Sequence, residues 1–203
     1  MFTSASTSYD KIESYIRDAW NGKCPHVLLS KIGPYNIFLG DIARTAPNQE
    51  LESEIVNACL FILVRRFNQN HQQQALCINS FEMSSIWRHE KTKLKIDPRN
   101  FDIVLGIINE NHHWMLMVFF PHKEKTLLLD PLKATPWKIT RCLQSTRKFM
   151  KGKGCSVEKW TCETLHHPVQ RDSTSCGVFC LKFAECVLCN DTLPYHFLQV
   201  IMT

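Results

Sequence analysis

The 203-residue chain has no apolar stretch long enough to cross a bilayer; runs such as Ala58 to Val64 stop far short of the ~20 residues a spanning helix needs. Nor does the start, Met1 to Ser8, carry the basic-then-apolar pattern of a secretory leader. No internal repeat and no linker rich in Pro, Gly or Ser divides the chain. One domain is therefore expected, long enough to bury roughly 70% of the surface its unfolded form exposes. Metal-ligand spacing is missing too. The single C-x-x-C, Cys186 to Cys189, has no second pair or histidine-rich partner, and reads as small side chains buried on a helix.

Charge of one sign is also scarce. The net charge is +5, and the basic residues are scattered except for Arg147, Lys148, Lys151 and Lys153. That cluster reads as a solvated helix end rather than a docking patch, and few aromatics are interleaved with it to stack on bases. Nucleic acid is not an expected partner. Cysteine, by contrast, is plentiful: ten residues at irregular spacings in a chain that needs no disulfide to fold. This usage indicates a reduced, intracellular protein of the nucleus or cytoplasm.

Periodicity outlines an α+β domain, with helices flanking a small, mainly antiparallel sheet. Tyr9, Ile12, Ile16 and Trp20 recur at helical spacing, and Asn21-Gly22 ends the pattern. Ile32 to Leu39, broken by Gly33-Pro34, reads as a loop leading to an edge strand. A helix with a buried middle is expected over Gln49 to Phe67, followed by a Gln-rich loop to Gln74. Strands are expected at Ile103–Asn109, Trp114–Phe120 and Thr126–Asp130, the last two joined by a turn at Pro121 to Lys125. A basic helix over Thr140 to Met150 and a strand over Val157 to Leu165 follow. Gly177 to Cys189 is apolar around most of its circumference, as in a helix at the centre of a domain.

Cys176 stands apart from the other cysteines. In "Q-R-D-S-T-S-C-G-V-F-C" it lies where a polar loop ends and that central helix begins, so its sulfur meets the unpaired N–H groups and the positive end of the helix dipole. Gly177 allows close backbone approach around it. Cys180, one turn on, reads as core packing. A nucleophile needs a base and a group to orient that base. "N-H-H-W-M-L-M-V" supplies His113 at the mouth of one strand, and "L-L-L-D-P" supplies Asp130 at the end of the next. A hairpin centred near Pro121-His122 would set the two across from each other on one side. His112 would point to the opposite face and is assigned no role. Gln170, with the backbone N–H of Cys176, could donate to a developing oxyanion.

The succession "H-W-M-L-M-V", "L-L-L-D-P" and "Q-R-D-S-T-S-C-G-V-F" resembles the ubiquitin-like-protein-specific cysteine proteases, the sentrin/SUMO proteases and their deneddylase relatives. The resemblance spans about Ile32 to Leu188 and implies a papain-like cysteine protease architecture. It also implies a catalytic domain over 31–203, preceded by an extension, 1–30, with a short helix. In that family a His before Trp, then an Asp, then a Gln six residues before Cys-Gly form the site; papain has the opposite order. The resemblance makes His113 the base, Asp130 its orienter, Cys176 the nucleophile and Gln170 the oxyanion-hole residue, with no metal or organic cofactor.

"E-L-E-S-E-I-V-N" resembles the family's Trp-Leu-Asn-Asp-Glu-Val-Ile-Asn, but Glu50 stands for the tryptophan and Ser53 for the aspartate. That tryptophan and the one kept here as Trp114 cover the tunnel for a substrate's Gly-Gly tail. The expected activity is cleavage of peptide or isopeptide bonds after the C-terminal glycine of a ubiquitin-like modifier, SUMO- or NEDD8-like, free or conjugated. Which modifier, and the oligomeric state, stay open. Two alternatives stand beside it: a catalytically silent modifier-binding module, and a virus- or mobile-element-derived endopeptidase, since "H-W-M-L-M-V-F-F-P-H-K-E-K-T" also resembles the adenovirus endopeptidase.

Overall fold

Asn111 and His112 both take positive φ, 53° and 63°, and so make a two-residue turn whose twist matches that of the strands it joins. This turn starts the hairpin on which the molecule is built. A computed structural model describes residues 4–190 of the chain. In chain order it contains α1 (Ser4–Trp20), β1 (Leu28–Ile32), β2 (Tyr35–Phe38), α2 (Leu39–Ala43), α3 (Ser53–Asn70), β3 (Ala75–Ile78) and α4 (Ser80–Trp87). There follow β4 (Ile103–Glu110), β5 (His113–Phe120), β6 (Lys125–Leu129), α5 (Pro136–Gly152), β7 (Thr161–Glu163) and α6 (Cys176–Cys189). The last part of the expected catalytic domain, 191–203, lies outside the described residues.

The main sheet has the order β3-β4-β5-β6-β7. Its centre, β4-β5-β6, is antiparallel, but β3 pairs parallel with β4 and β7 parallel with β6. The sheet is mainly antiparallel, as expected, with one parallel strand added at each edge. The reason lies in the connections: α4 and α5 carry the chain back across the sheet, and a crossover of that length returns the strand in the same direction.

Strand parity sorts the core into two layers. Ile103, Leu105, Ile107, Trp114, Leu116, Val118, Leu127 and Leu129 pack with α3 and α6 on one face. Val104, Ile108, Met115, Met117, Phe119 and Leu128 pack with α4, α5 and Trp160 on the other. A sheet covered on both faces explains why these strands read as continuous apolar runs rather than alternating ones. Each fully buried large side chain contributes roughly 1.5–3 kcal/mol. Gly106 in β4 is needed for this packing, since a β-carbon there would collide with Met83 of α4 and with the Ile78 carbonyl.

Several boundaries differ from expectation. Gly33-Pro34 is the turn of a complete β1–β2 hairpin, not a loop before a single strand. The expected boundary at residue 30 falls inside β1, and the helix expected to be short is 17 residues long. The strand expected over Val157 to Leu165 shrinks to Thr161–Glu163.

The basic cluster is not a free solvated end. Arg147 donates to the carbonyls of Trp160 (2.8 Å) and Glu158 (3.3 Å), Lys148 to that of His89 (2.7 Å), and Lys153 to that of Leu94. These side chains tie α5 to the loops around it. Among the described residues no helix is long and apolar enough to cross a membrane.

Candidate active site

Cys176 is the first residue of α6, and the burial of that helix fixes where the sulfur lies. The residue is 1% exposed, at the end of the helix where the first N–H groups lack intrahelical partners. Gly177 explains how α6 comes so close: a β-carbon there would lie 3.2 Å from Leu51 Cβ and 3.3 Å from Trp114 Cδ1. Trp114 is buried, and its Nε1–H donates to the Leu51 carbonyl at 3.0 Å. That bond clamps the segment before α3 against the start of α6.

His113 opens β5 directly after the Asn111-His112 turn, and Asp130 follows the last residue of β6. Leu116 pairs with Leu129, so the continued register sets Asp130 level with Met115, two residues from His113. The two are diagonal neighbours on one face rather than directly opposed as expected. A two-residue offset preserves the face, because side chains alternate with period two. His113 Nε2 donates to Asp130 Oδ1 at 2.6 Å. With Nε2 so engaged, Nδ1 is the ring nitrogen left to serve Cys176, whose sulfur is near enough to help raise the His113 pKa.

Asp130 is fully buried and has two further donors: the Leu132 N–H (2.9 Å, to Oδ1) and Lys138 Nζ (2.5 Å, to Oδ2). Burial would raise its pKa, but the bonds from His113, Lys138 and Leu132 prevail and hold it near 2. For His113, burial works against the charged ring, while bonds to Asp130 and Cys176 outweigh it and raise the pKa to about 9. The imidazole is therefore in its charged form at neutral pH, a form that can protonate a leaving amine.

Lys138 went unnoticed in the sequence because the helix was expected to start at Thr140. Thr135, which caps α5 by accepting from the Lys138 N–H, and Pro136 behind it are the start signal that puts Lys138 in the first turn. Lys138→Met would leave Asp130 Oδ2 buried without its cation. We expect it to lower unfolding free energy by about 2–4 kcal/mol in urea titration. An unchanged midpoint would mean that the ion pair contributes nothing.

Gln170 is buried, and its backbone N–H donates to the Pro131 carbonyl at 2.9 Å, which joins the loop before α6 to the loop carrying Asp130. Its Nε2 donates to the backbone carbonyl of Asp172 (2.9 Å) and to Asp172 Oδ1 (3.2 Å). Oε1 is buried without a hydrogen-bond partner. Asp172 also receives the Thr174 and Ser175 N–H groups and the Ser175 hydroxyl. An Asp two and three residues before unpaired N–H groups at a helix start was the signal that could have identified it.

Glu50 is half-buried and adjoins Leu51, so it lies one residue from the Trp114 contact; Ser53 is the first residue of α3. A cleft of about 560 Å³ lies beside this segment, lined by Asn48, Gln49, Leu51, Asp172, Ser175 and Val178. His112 is exposed in the turn, and Cys180 is fully buried. Among the described residues no three His, Cys, Asp or Glu side chains converge as metal ligands would.

Comparison with known proteins bears on this arrangement. The family model described as YopJ Serine/Threonine acetyltransferase matches residues 30–200. A sentrin-specific protease of Caenorhabditis elegans is 24% identical over 190 residues, covering 87% of this chain; the chain spans only 27% of that relative's length. Among solved structures, the C-terminal Ulp1 protease domain in complex with Smt3, the yeast ortholog of SUMO, superposes with a TM-score of 0.76. It is 17% identical and covers 94% of this chain and 89% of its own. The catalytic domain of the Chaetomium thermophilum Ulp1-like SUMO protease gives 0.72 at 17% identity, over 90% of this chain and 80% of its own. The chain thus belongs to the YopJ serine/threonine acetyltransferase family, and it shares its fold with the Ulp1 protease domains.

Proposed function

We infer that the protein is a thiol hydrolase that cleaves the peptide or isopeptide bond after the C-terminal glycine of a ubiquitin-like modifier. The observation that carries this reading is His113 held between Asp130 and Cys176 at the start of a buried helix. Cys176 Sγ attacks the carbonyl carbon of the terminal glycine, and the charge that develops on its oxygen is met by the Cys176 N–H and the Gln170 amide. His113 gives its proton to the leaving amine, and a thioester forms. A water molecule, deprotonated by the now neutral His113, attacks that thioester; collapse releases the glycine carboxylate, and the proton returns to the Cys176–His113 pair. The sentrin-specific likeness and the Ulp1-like fold support a modifier as the substrate.

The family match favours a second reading, in which a serine or threonine hydroxyl replaces water as the acceptor and an acetyl donor acylates Cys176. Both readings share the acylated cysteine and differ in what arrives before and after it. The test is a panel of modifier probes carrying a C-terminal electrophile. Covalent capture at Cys176 of at least one modifier supports hydrolysis; no capture, with acetyl transfer to a peptide hydroxyl, would support the second reading.

The same panel tests selectivity. Glu50 adjoins the residue clamped to Trp114, at the position where the resembled segment has tryptophan. Glu50→Trp should restore or speed capture of SUMO-type probes by roughly tenfold, the factor that ~1.4 kcal/mol of added apolar contact provides. No change with any probe would mean that Glu50 does not select the tail.

A further inference from the structure

We propose that Asp172 is a positioning residue that sets both halves of the oxyanion hole, the Gln170 amide and the turn that presents the Cys176 N–H. The inference rests on the hydrolase reading above and deepens it. Among the described residues Gln170 is hydrogen-bonded at two points: its backbone N–H on the Pro131 carbonyl, which fixes where the residue stands, and its Nε2 on Asp172, which fixes how the amide is turned. The oxygen end of that amide has no hydrogen-bond partner among the described residues, although it is buried. A buried amide held at one end only is free to rotate once that end is released.

Rotation matters because the two ends have opposite consequences. The amide nitrogen carries two N–H groups: with one shared between the Asp172 carbonyl and Oδ1, the other is left for an oxyanion to accept from. Reversed, it would present a carbonyl oxygen to a developing negative charge. Asp172 opposes the reversal, since both its backbone oxygen and its carboxylate would then face Gln170 Oε1, acceptor against acceptor.

The same carboxylate controls the other donor. Its Oδ1 accepts from the Thr174 N–H (2.8 Å) and the Ser175 N–H (2.7 Å), and its Oδ2 accepts from the Ser175 hydroxyl at 2.6 Å. Ser175 is the residue on which α6 starts: its carbonyl accepts from the Phe179 N–H at 3.0 Å, and Cys176 follows it directly. One side chain thus ties the Gln170 amide to the first turn of the nucleophile's helix. The spacing between the two donors is held through Asp172 rather than by any direct bond between them. An oxyanion hole acts by being set before the charge forms, so loss of this tie removes preorganisation while leaving the nucleophile in place.

The test separates oxyanion stabilisation from thiol reactivity and from folding. A peptide aldehyde ending in Gly-glycinal adds to Cys176 to give a tetrahedral hemithioacetal, whose oxygen occupies the hole. Iodoacetamide alkylates the sulfur by displacing iodide and creates no oxyanion. Asp172→Ala should weaken aldehyde capture by roughly 10- to 100-fold, short of the full loss of a donor, with the rate of alkylation unchanged. Asp172→Asn keeps the Oδ1 acceptor and should remain within about threefold of wild type. In a Gln170→Ala background, Asp172→Ala should have much less further effect on capture, because one of the two donors it sets is already gone. The inference is overturned if Asp172→Ala captures the aldehyde like wild type, if it loses aldehyde capture and alkylation in parallel, or if Asp172→Asn fails as badly as alanine. Failure of the wild-type protein to capture the aldehyde at all, while alkylation proceeds, overturns the hydrolase reading itself and this inference with it.

Discussion

Cys176→Ala should reduce turnover of any cleavable modifier substrate by roughly ten-thousand-fold or more, while the protein folds and still binds the modifier. The replacement removes a single sulfur from a residue that is 1% exposed, so it opens little space, and its effect on stability should stay near about 1 kcal/mol. The other cysteines in the core around Cys176 do not replace it. Cys180 lies one turn deeper in α6 with no exposure, and burial pushes its thiol well above the ordinary value, so it stays protonated and unreachable. Cys142 is in the same condition on α5, and Cys59 and Cys77 are likewise pushed up by burial. The assay pairs single-turnover cleavage of a modifier fusion with binding measured by calorimetry. Turnover that persists in Cys176→Ala would remove the protein from thiol chemistry altogether, whereas wild-type binding without any wild-type turnover would make it a modifier-binding module.

The centre of the fold was legible in the sequence for a physical reason. β4, β5, β6 and α6 are buried on nearly all sides, and burial leaves long apolar runs bounded by turn residues. The parts that were missed lack such a signal. β3 has four residues, and α4 is a short helix whose polar Ser80 and Ser84 are buried. Ser80 is held by Asn57 of α3: its N–H donates to Asn57 Oδ1 at 2.8 Å, and its hydroxyl accepts from Asn57 Nδ2 at 3.1 Å. Such bonds make polar residues interior, which period counting reads as loop. The parallel edge strands were equally hidden, since strand direction is set by the crossovers through α4 and α5 and not by the strands' own residues.

For the site, the hairpin argument placed His113 and Asp130 on one face even though its centre was displaced, because the observed register differs by two residues in the pairing and not by one. A shift of one would have separated them. What the sequence did not disclose are the residues that brace Asp130 and the loop before Cys176. Lys138 approaches from a helix and Asp172 acts from within a loop, and neither belongs to a short motif that names its partner.

The other large effect is expected at Asp130. Asp130→Asn preserves the shape of the side chain but can turn an NH2 toward His113 Nε2, which favours the wrong tautomer, and it removes the charge that balances Lys138. We expect kcat to fall by roughly a thousand- to ten-thousand-fold with KM little changed. The pH dependence of stability carries the sign of the effect. His113 is raised from 6.5 to about 9, so its contribution to the folded state is complete below 6.5 and is lost as pH climbs through about 9. Asp130 is lowered from 3.8 to about 2, so its contribution is present above 3.8 and is lost as pH falls through about 2. Wild-type stability should therefore decline on the alkaline side between pH 6.5 and about 9. In Asp130→Asn the burial that lowers the His113 pKa loses its main opponent, so the imidazole should titrate well below about 9 and that alkaline decline should move to lower pH or vanish. Urea midpoints across this range, with an NMR titration of the His113 ring, measure both. Parallel alkaline slopes in the two proteins would mean that the bond to Asp130 is not what keeps the imidazole charged, and the proton that His113 is assigned to give the leaving amine would have to be held there by Cys176 alone.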